Sequence, residues 1–378
     1  MQASLTDLHV ALNAHLLSGR ASYRSAGIHH YIAHLIRHLD AVGEGVRFTA
    51  LVGPTAAAPD AGMAVIPSKW DTSTPGRRAL WEQVGLPRVL RRIEADVAHA
   101  PAFVGPLASA VPVVTTIHDL SFLRFPQLFR PANRLYLKTM TRLSARRSRH
   151  LIAVSEHTAR ESERLLGVRP DMITVVYHGV DDRFQPLPID HVAAFRERRG
   201  LPERFVLFVG TLEPRKNLNR LIEAFARADE NGAKLIIVGG KGWLYEDLFA
   251  LVEDRGLRDT VLFPGYVSNE ELALWYNAAT VFAYPSLYEG FGMPVTEAQA
   301  CGTPVLTSKT TSLPEAAGEA AVLVDPENVA SIAAGLRRLL ENEELRQELS
   351  ERGQKHASRF TWPTTARDTV EVYRQAGA

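Results

Sequence analysis

The chain has 378 residues, 46% apolar and 22% charged, with 43 Lys+Arg against 42 Asp+Glu for a formal net charge of +1. This length suits two or three domains of a soluble globular protein and excludes disordered, collagen-like and coiled-coil chains. The balanced charge gives no footing for nucleic acid, the single cysteine, Cys301, excludes an intrachain disulfide and points to a reducing cytoplasm, and no signal peptide or membrane span of ~20 apolar residues stands out.

Along the chain, short apolar runs alternate with segments of helical period. Strands are expected at Leu8–Leu12, Val46–Val52, Asp96–His99, Val111–Ile117, Leu151–Val154 and Ile173–Tyr177. The spacing of Ile28, Tyr31, Ile32, Leu35, Ile36 and Leu39 marks one face of a helix. The pattern restarts at Phe205–Val209, followed by Lys234–Val238, Thr260–Phe263, Thr280–Tyr284, Pro304–Thr307 and Ala321–Val324, with a helix at Leu218–Ala228. The proline-bearing stretch Asp181–Pro188 between the halves reads as a linker. It divides the chain into residues 1–188 and 189–361, with a last helix at about 362–378 packing back on the first part. Such alternation predicts two α/β domains, each a doubly wound parallel sheet, with ligands bound in a cleft at the carboxyl ends of the strands.

Several motifs are absent. Gly239-Gly240-Lys241-Gly242 fits neither a Walker loop nor the dinucleotide fingerprint, and reads as a glycine-rich strand end. No His-Glu-x-x-His and no Asp-x-Asp occurs. His30 and His34 are four apart but have no neighbouring carboxylate or cysteine, so they read as polar-face residues, and no metal is expected.

The most informative segment is Tyr-Pro-Ser-Leu-Tyr-Glu-Gly-Phe-Gly-Met-Pro-Val-Thr-Glu-Ala, residues 284–298. Gly290 and Gly292 around Phe291 let backbone approach a ligand. Pro294 is expected as the first residue of a helix, leaving the amides of Met293, Val295 and Thr296 as donors for a phosphate at its positive end. Glu289 and Glu297 flank this turn. A carboxylate would repel a diphosphate, so the pair is expected to accept hydrogen bonds from hydroxyls, one on a sugar and one on a ribose. Alternatively Glu289 is a solvated loop residue and Glu297 a helix-start carboxylate. Arg215 and Lys216 follow a strand and a short turn, with Asn217 able to cap the next helix. There they would neutralise charge growing on a departing diphosphate.

The frame Glu-Gly-Phe-Gly-Met-Pro-Val-Thr-Glu resembles the signature of the retaining glycosyltransferases of family 4, which have the two-domain GT-B fold. Val209-Gly210-Thr211-Leu212-Glu213-Pro214-Arg215-Lys216-Asn217, Ala300-Cys301-Gly302-Thr303-Pro304-Val305 and His178-Gly179-Val180-Asp181 extend the resemblance over most of the chain, His178 standing where the family has Asn. The resemblance implies transfer of a hexose from a nucleoside-diphosphate sugar, without a metal or other cofactor, to a glycan or lipid-linked acceptor. It implies Arg215 and Lys216 as diphosphate ligands, Gly210 beside the donor, and Glu289 and Glu297 on sugar and ribose. His118, one of the two polar residues that end the buried run Val113–Asp119, matches a family His near the transferred sugar; on its own it reads equally as a structural His bonded to a carbonyl. Gly27 is expected to precede the first long helix, where a backbone amide could meet a phosphate, although the family has a richer glycine loop there. His157, beside the cap Ser155, reads as structural. Ala79-Leu80-Trp81-Glu82-Gln83 and His99-Ala100-Pro101 are similar to segments of bacterial mannosyltransferases of surface polysaccharides, making GDP-mannose the expected donor. A nucleotide-sugar 2-epimerase and a non-catalytic sugar-nucleotide-binding protein remain the alternatives. Arg134, Lys138, Arg142 and Arg146 recur every four residues, either as a solvated face or as a basic helix lying peripherally on the inner face of a membrane.

Overall fold

The computed structural model describes residues 8–17, 26–54, 56, 62–72, 74–228, 232–240, 242 and 245–378. The chain divides into two compact units. One comprises the residues up to Gly179 together with Trp362–Ala378, the other Val180–Thr361. The division precedes the linker at Pro188, because the irregular stretch after Gly179 is fastened to the second unit. Val180 donates its amide to Phe360 (2.9 Å), and Asn277 accepts from the Leu187 amide while donating to the Gln185 carbonyl.

The first unit is built on seven parallel strands: β1 (Leu8–Asn13), β2 (Val46–Val52), β3 (Ala64–Pro67), β4 (Val97–Ala100), β5 (Val113–Ile117), β6 (His150–Ala153) and β7 (Ile173–Val175). Their order is β3-β2-β1-β4-β5-β6-β7. β4, β5 and β6 are buried throughout, as expected where helices cover both faces. β3 escapes the sequence pattern because it is a four-residue edge strand whose two ends are exposed. The helix Ala26–Val42 buries Tyr31, Ile32, Leu35, Ile36 and Leu39 at the predicted spacing. They share one core with Trp362, Val370, Val372 and Tyr373 of the terminal helix Trp362–Gly377. That helix also corrects the reading of His34, which is buried and stacks on Trp362 at 4.6 Å rather than facing solvent. His157 lies in the helix Glu156–Leu166, whose start is capped by Ser155 accepting from the Thr158 amide.

The second unit has six parallel strands: β8 (Phe205–Val209), β9 (Lys234–Val238), β10 (Val261–Gly265), β11 (Val281–Tyr284), β12 (Val305–Ser308) and β13 (Ala321–Val324). Their order, β10-β9-β8-β11-β12-β13, is the doubly wound order of a Rossmann-like sheet. The helix Leu218–Ala228 lays Leu218, Leu221, Ile222 and Phe225 on the sheet. In each unit the winding reverses once, between β1 and β4 and between β8 and β11. Adjacent loops there leave in opposite directions and open a crevice at the carboxyl edge of the sheet.

Candidate active site

The loops after β8 and β11 flank the reversal point of the second sheet, and they carry the residues expected to act. β8 runs into Gly210 and a short 3-10 turn, Pro214–Lys216. β9 is followed by Gly239, where a Cβ would fall 1.8 Å from the Gly210 carbonyl oxygen. Only glycine permits that approach, as a strand end rather than a phosphate loop. Lys241, Trp243 and Leu244 of the same segment lie outside the described residues.

From the β8 side, Arg215 and Lys216 reach across to Glu289. Arg215 Nη1 donates to Glu289 Oε2 (2.8 Å) and to the Tyr288 carbonyl (2.8 Å), and its Nη2 donates to Glu213 Oε1 (2.7 Å). Lys216 Nζ donates to Glu289 Oε1 at 2.7 Å and also bonds the Tyr284 hydroxyl. Ser286 donates to Glu289 Oε1 at 2.6 Å. The Leu287 amide donates to the Arg215 carbonyl, tying the two loops together. Glu289, Glu213 and Lys216 are buried. Burial alone would raise the Glu289 carboxyl, but Arg215, Lys216 and the Ser286 hydroxyl overcome it and bring its pKa down to about 2. Burial and the neighbouring Arg215 lower the Lys216 ammonium, against the pull of Glu289 and Glu213. The Glu289 carboxyl is ionised at neutral pH. Glu289 is therefore not a solvated loop residue. It is the counter-ion of Arg215 and Lys216.

Asn217 departs from its expected capping role. Its Nδ2 donates to the carbonyls of Pro285 and Pro326, and its Oδ1 accepts from Arg220. It adopts a left-handed conformation, φ 63°, which turns the chain from the 3-10 segment into the helix.

The expected helix after β11 is Met293–Ala300, with Gly292 as its N-cap at φ 114°. A Cβ on Gly292 would also meet Leu313 Cδ2 at 2.8 Å. Met293 is the first helical residue and Pro294 the second. The Val295 amide is not an open donor, because it bonds the Gly292 carbonyl (2.9 Å) and its side chain is buried. Phe291 is buried edge-on against Phe360 (5.4 Å), so its ring packs the unit and only backbone there can meet a ligand. Glu297 stands outside the Arg215–Lys216–Glu289 network. It accepts from the Tyr276 hydroxyl (2.9 Å), and burial, reinforced by Asp181 and opposed by Tyr276 and Arg183, raises its pKa to about 7. Glu213, Tyr284, Ser286 and Tyr276 were missed from sequence. The one available signal was spacing: Glu213 two residues before Arg215 and Ser286 three before Glu289.

In the first unit His118 follows β5 and is buried. Its Nε2 donates to the Pro101 carbonyl (2.7 Å), and Tyr31 packs edge-on against it (4.9 Å). Burial lowers its pKa, with Pro101 and Asp119 opposing, so the ring is neutral with Nδ1 as its acceptor atom. Below it, Tyr373 bonds His99 Nδ1 (2.7 Å), and His99 Nε2 bonds Thr116 (2.8 Å). Gly27 does not precede the helix as expected but is the second residue of Ala26–Val42; Ser25 lies outside the described residues.

Known proteins agree with this architecture. Residues 193–356 match the family model described as glycosyl transferases group 1, and residues 25–184 match that of glycosyltransferase family 4. The O-antigen chain mannosyltransferase B of Escherichia coli is 32% identical over 306 residues, 79% of this chain and 77% of that protein. A D-inositol 3-phosphate glycosyltransferase of Streptomyces bingchenggensis is 36% identical over 241 residues, 60% of this chain, and the match spans about half of that relative (52%). Anabaena HepE, solved in complex with UDP and glucose, superposes with a TM-score of 0.74 at 20% identity, covering 96% of this chain and 98% of HepE. Two Rossmann-like units of this kind give the chain the GT-B fold. The chain belongs to glycosyltransferase family 4.

Proposed function

We propose that this enzyme transfers a hexose, mannose from GDP-mannose in the first instance, from a nucleoside-diphosphate sugar to a glycan or lipid-linked acceptor in surface-polysaccharide synthesis, in the cytoplasm and with retention of configuration. The carrying observation is the buried Arg215–Lys216–Glu289 network at the reversal point of the second sheet. When the sugar–phosphate bond breaks, negative charge grows on the departing diphosphate. Preorganised cations at that place lower the barrier, which supports transfer without a metal. Glu289, with a pKa near 2 and three donors on its oxygens, is a poor nucleophile and a poor base. The reading therefore has the acceptor oxygen bond the anomeric carbon on the face the diphosphate leaves, its proton passing to the departing phosphate. His118 Nδ1 would accept from a hydroxyl nearby, Gly27 and Gly210 would bring backbone close to the donor, and Met293 would offer its amide. Mannose is supported by the name of the Escherichia coli relative; the UDP and glucose of HepE make UDP-glucose the donor to compare.

Thermal unfolding with a panel of nucleotide sugars tests this, since selective binding raises the midpoint. GDP-mannose should stabilise more than UDP-glucose, in EDTA as in Mg²⁺, and transfer should survive chelation. Activity lost in EDTA and restored by Mg²⁺ or Mn²⁺ would refute the metal-free mechanism. Stabilisation by UDP-glucose alone would replace the donor.

A further inference from the structure

We propose that Ser312, with Thr311 beside it, is a positioning residue for the transfer step: the two hydroxyls clamp the backbone of Glu289 and so set where its carboxylate holds Arg215 and Lys216. The role rests on the transferase reading above and adds a third loop to the site, the one after β12.

The segment from Tyr284 to Phe291 joins β11 to its helix and is buried except at Leu287, which is partly exposed. A buried connection has no ladder of its own, so its carbonyls need other donors. Side chains supply them. Thr307 donates to the Tyr284 carbonyl (2.9 Å), and Ser308 to that of Ser286 (2.6 Å). Ser312 Oγ stands 2.9 Å from the Glu289 carbonyl and 2.8 Å from that of Phe291, sharing its one proton between them. The Glu289 amide points to Thr311 Oγ1 at 3.4 Å. Glu289 is thus held at both its backbone groups by two adjacent residues, and at its carboxylate by the cations.

Both clamping residues forgo a locally favoured arrangement. Ser312 is the N-cap of the short helix Leu313–Ala317, where a serine ordinarily accepts from an amide of its own helix. Its side chain makes no such cap bond and serves the neighbouring loop instead. Thr311 lies in the left-handed region at φ 62°, an outlier for a β-branched residue. Strain of this kind persists only where the surrounding structure fixes it, and it gathers at functional sites. Of the four described non-glycine residues with positive φ, two, Thr311 and Asn217, bond this same segment. Because the Glu289 carboxylate fixes both cations, a shift of its backbone is passed on to them, and a misplacement of about 1 Å in a reacting site can cost on the order of 10²-fold in rate.

The test reads three quantities on the full chain: kcat and KM for release of nucleoside diphosphate from GDP-mannose, with UDP-glucose in parallel, and affinity for free GDP and UDP. Ser312→Ala should lower kcat about tenfold, the size of one lost hydrogen bond, and change KM and nucleotide affinity less than about threefold. Ser312→Thr keeps the hydroxyl and should restore most of kcat. Thr311→Gly removes the strain together with the hydroxyl, so its unfolding midpoint should equal or exceed the parent's while kcat falls; Thr311→Ser should match the parent. This arm stands even if Ser312→Ala fails to fold. A merely structural loop would lose stability and rate together. In a Glu289→Gln background Ser312→Ala should add less than about twofold, since the clamp acts through that carboxylate. A parent that neither binds nor turns over the nucleotide sugars would refute the transferase reading and the clamp with it. A parent that turns over, with kcat unchanged in Ser312→Ala and Thr311→Gly, or with the full loss persisting in Glu289→Gln, would overturn the clamp alone.

Discussion

Lys216 and Glu289 form a buried ion pair, Nζ to Oε1 2.7 Å, that links the loop after β8 to the loop after β11 at the reversal of the second sheet. Arg215 completes it from the same side, 2.8 Å from the other carboxylate oxygen. The carboxylate holds both cations in place, so their positions do not have to be organised during the reaction. A buried pair of this kind is poor evidence for stability but good evidence for arrangement, because breaking it by removing one partner leaves an uncompensated charge.

Glu289 should dominate acid sensitivity of the second unit. Its folded pKa of about 2 lies below the ordinary value of 4.5. Its contribution is therefore present above pH 4.5 and is lost as pH falls towards 2. The shift corresponds to about 3 kcal/mol. Glu289→Gln should flatten the fall in stability over that window, read by urea unfolding at a series of pH values. The same variant leaves Arg215 and Lys216 free for phosphate, so affinity for free nucleoside diphosphate should hold or rise while transfer drops. A parallel loss of both would remove the sugar-side role.

Glu297 should behave oppositely. Its pKa is raised from 4.5 to about 7, so ionisation costs stability as pH rises through that range. The cost is complete above pH 7, at about 3 kcal/mol. Glu297→Gln keeps an acceptor for Tyr276, and should be more stable than the parent at pH 8 and equal to it at pH 4. If the carboxylate binds a ribose hydroxyl, the variant also loses nucleotide affinity. Unchanged affinity would leave it with Tyr276 alone.

Most strands were legible as short apolar runs between turn signals: β2, β8, β9 and β13 fall on their expected bounds, although β13 is an edge strand with Leu323 exposed. β3 was not, since a short half-buried edge carries no periodicity. The site was half legible. Arg215, Lys216 and Glu289 could be named from residue type and the turns around them, but not their mutual contact, which depends on β8 and β11 becoming neighbours through the winding of the sheet. The same holds for His34, which is buried by Trp362, a residue more than three hundred positions away in sequence. Local spacing cannot show what a returning helix covers. The Val295 amide was misread because the first turn of its helix closes it onto the Gly292 carbonyl, a bond that residue types alone do not show.

The terminal helix should be indispensable to the first unit. Trp362, Val370, Val372 and Tyr373 are buried in its core, and at about 1.5–3 kcal/mol for each buried side chain they rival the whole stability of a domain, about 5–15 kcal/mol. Truncation after Thr361 should leave a chain whose second unit unfolds cooperatively and whose first unit does not. Tyr373→Phe is milder. It removes only the bond to His99 and should cost about 1–3 kcal/mol. Limited proteolysis with mass spectrometry would locate the cleavages; protection of the first unit in the truncated chain would contradict the assignment.

The cations carry the mechanism, and the ion pair sharpens what their removal should do. Charge on the departing diphosphate is larger in the transition state than in bound donor, so losing a cation should fall on the chemical step. Removing one preorganised donor in such a site costs about 2.7–4 kcal/mol, or roughly 10²–10³ in kcat. Lys216→Ala should lower kcat at saturating donor with a smaller loss of donor affinity, and it should destabilise the second unit because Glu289 keeps only Arg215 and Ser286 as partners. Arg215→Lys should recover part of the activity. An ammonium cannot bond Glu213, Glu289 and the Tyr288 carbonyl together as the guanidinium does. Because both cations serve one leaving group and share one carboxylate, the double substitution should cost less than the product of the singles. Adding Glu289→Gln to Lys216→Ala discriminates further: stability should return, since the buried carboxylate that lost one of its two cations is gone, while kcat stays low. A triple comparison in which kcat returns with stability would mean the cations merely hold the fold, and their leaving-group role would have to be withdrawn.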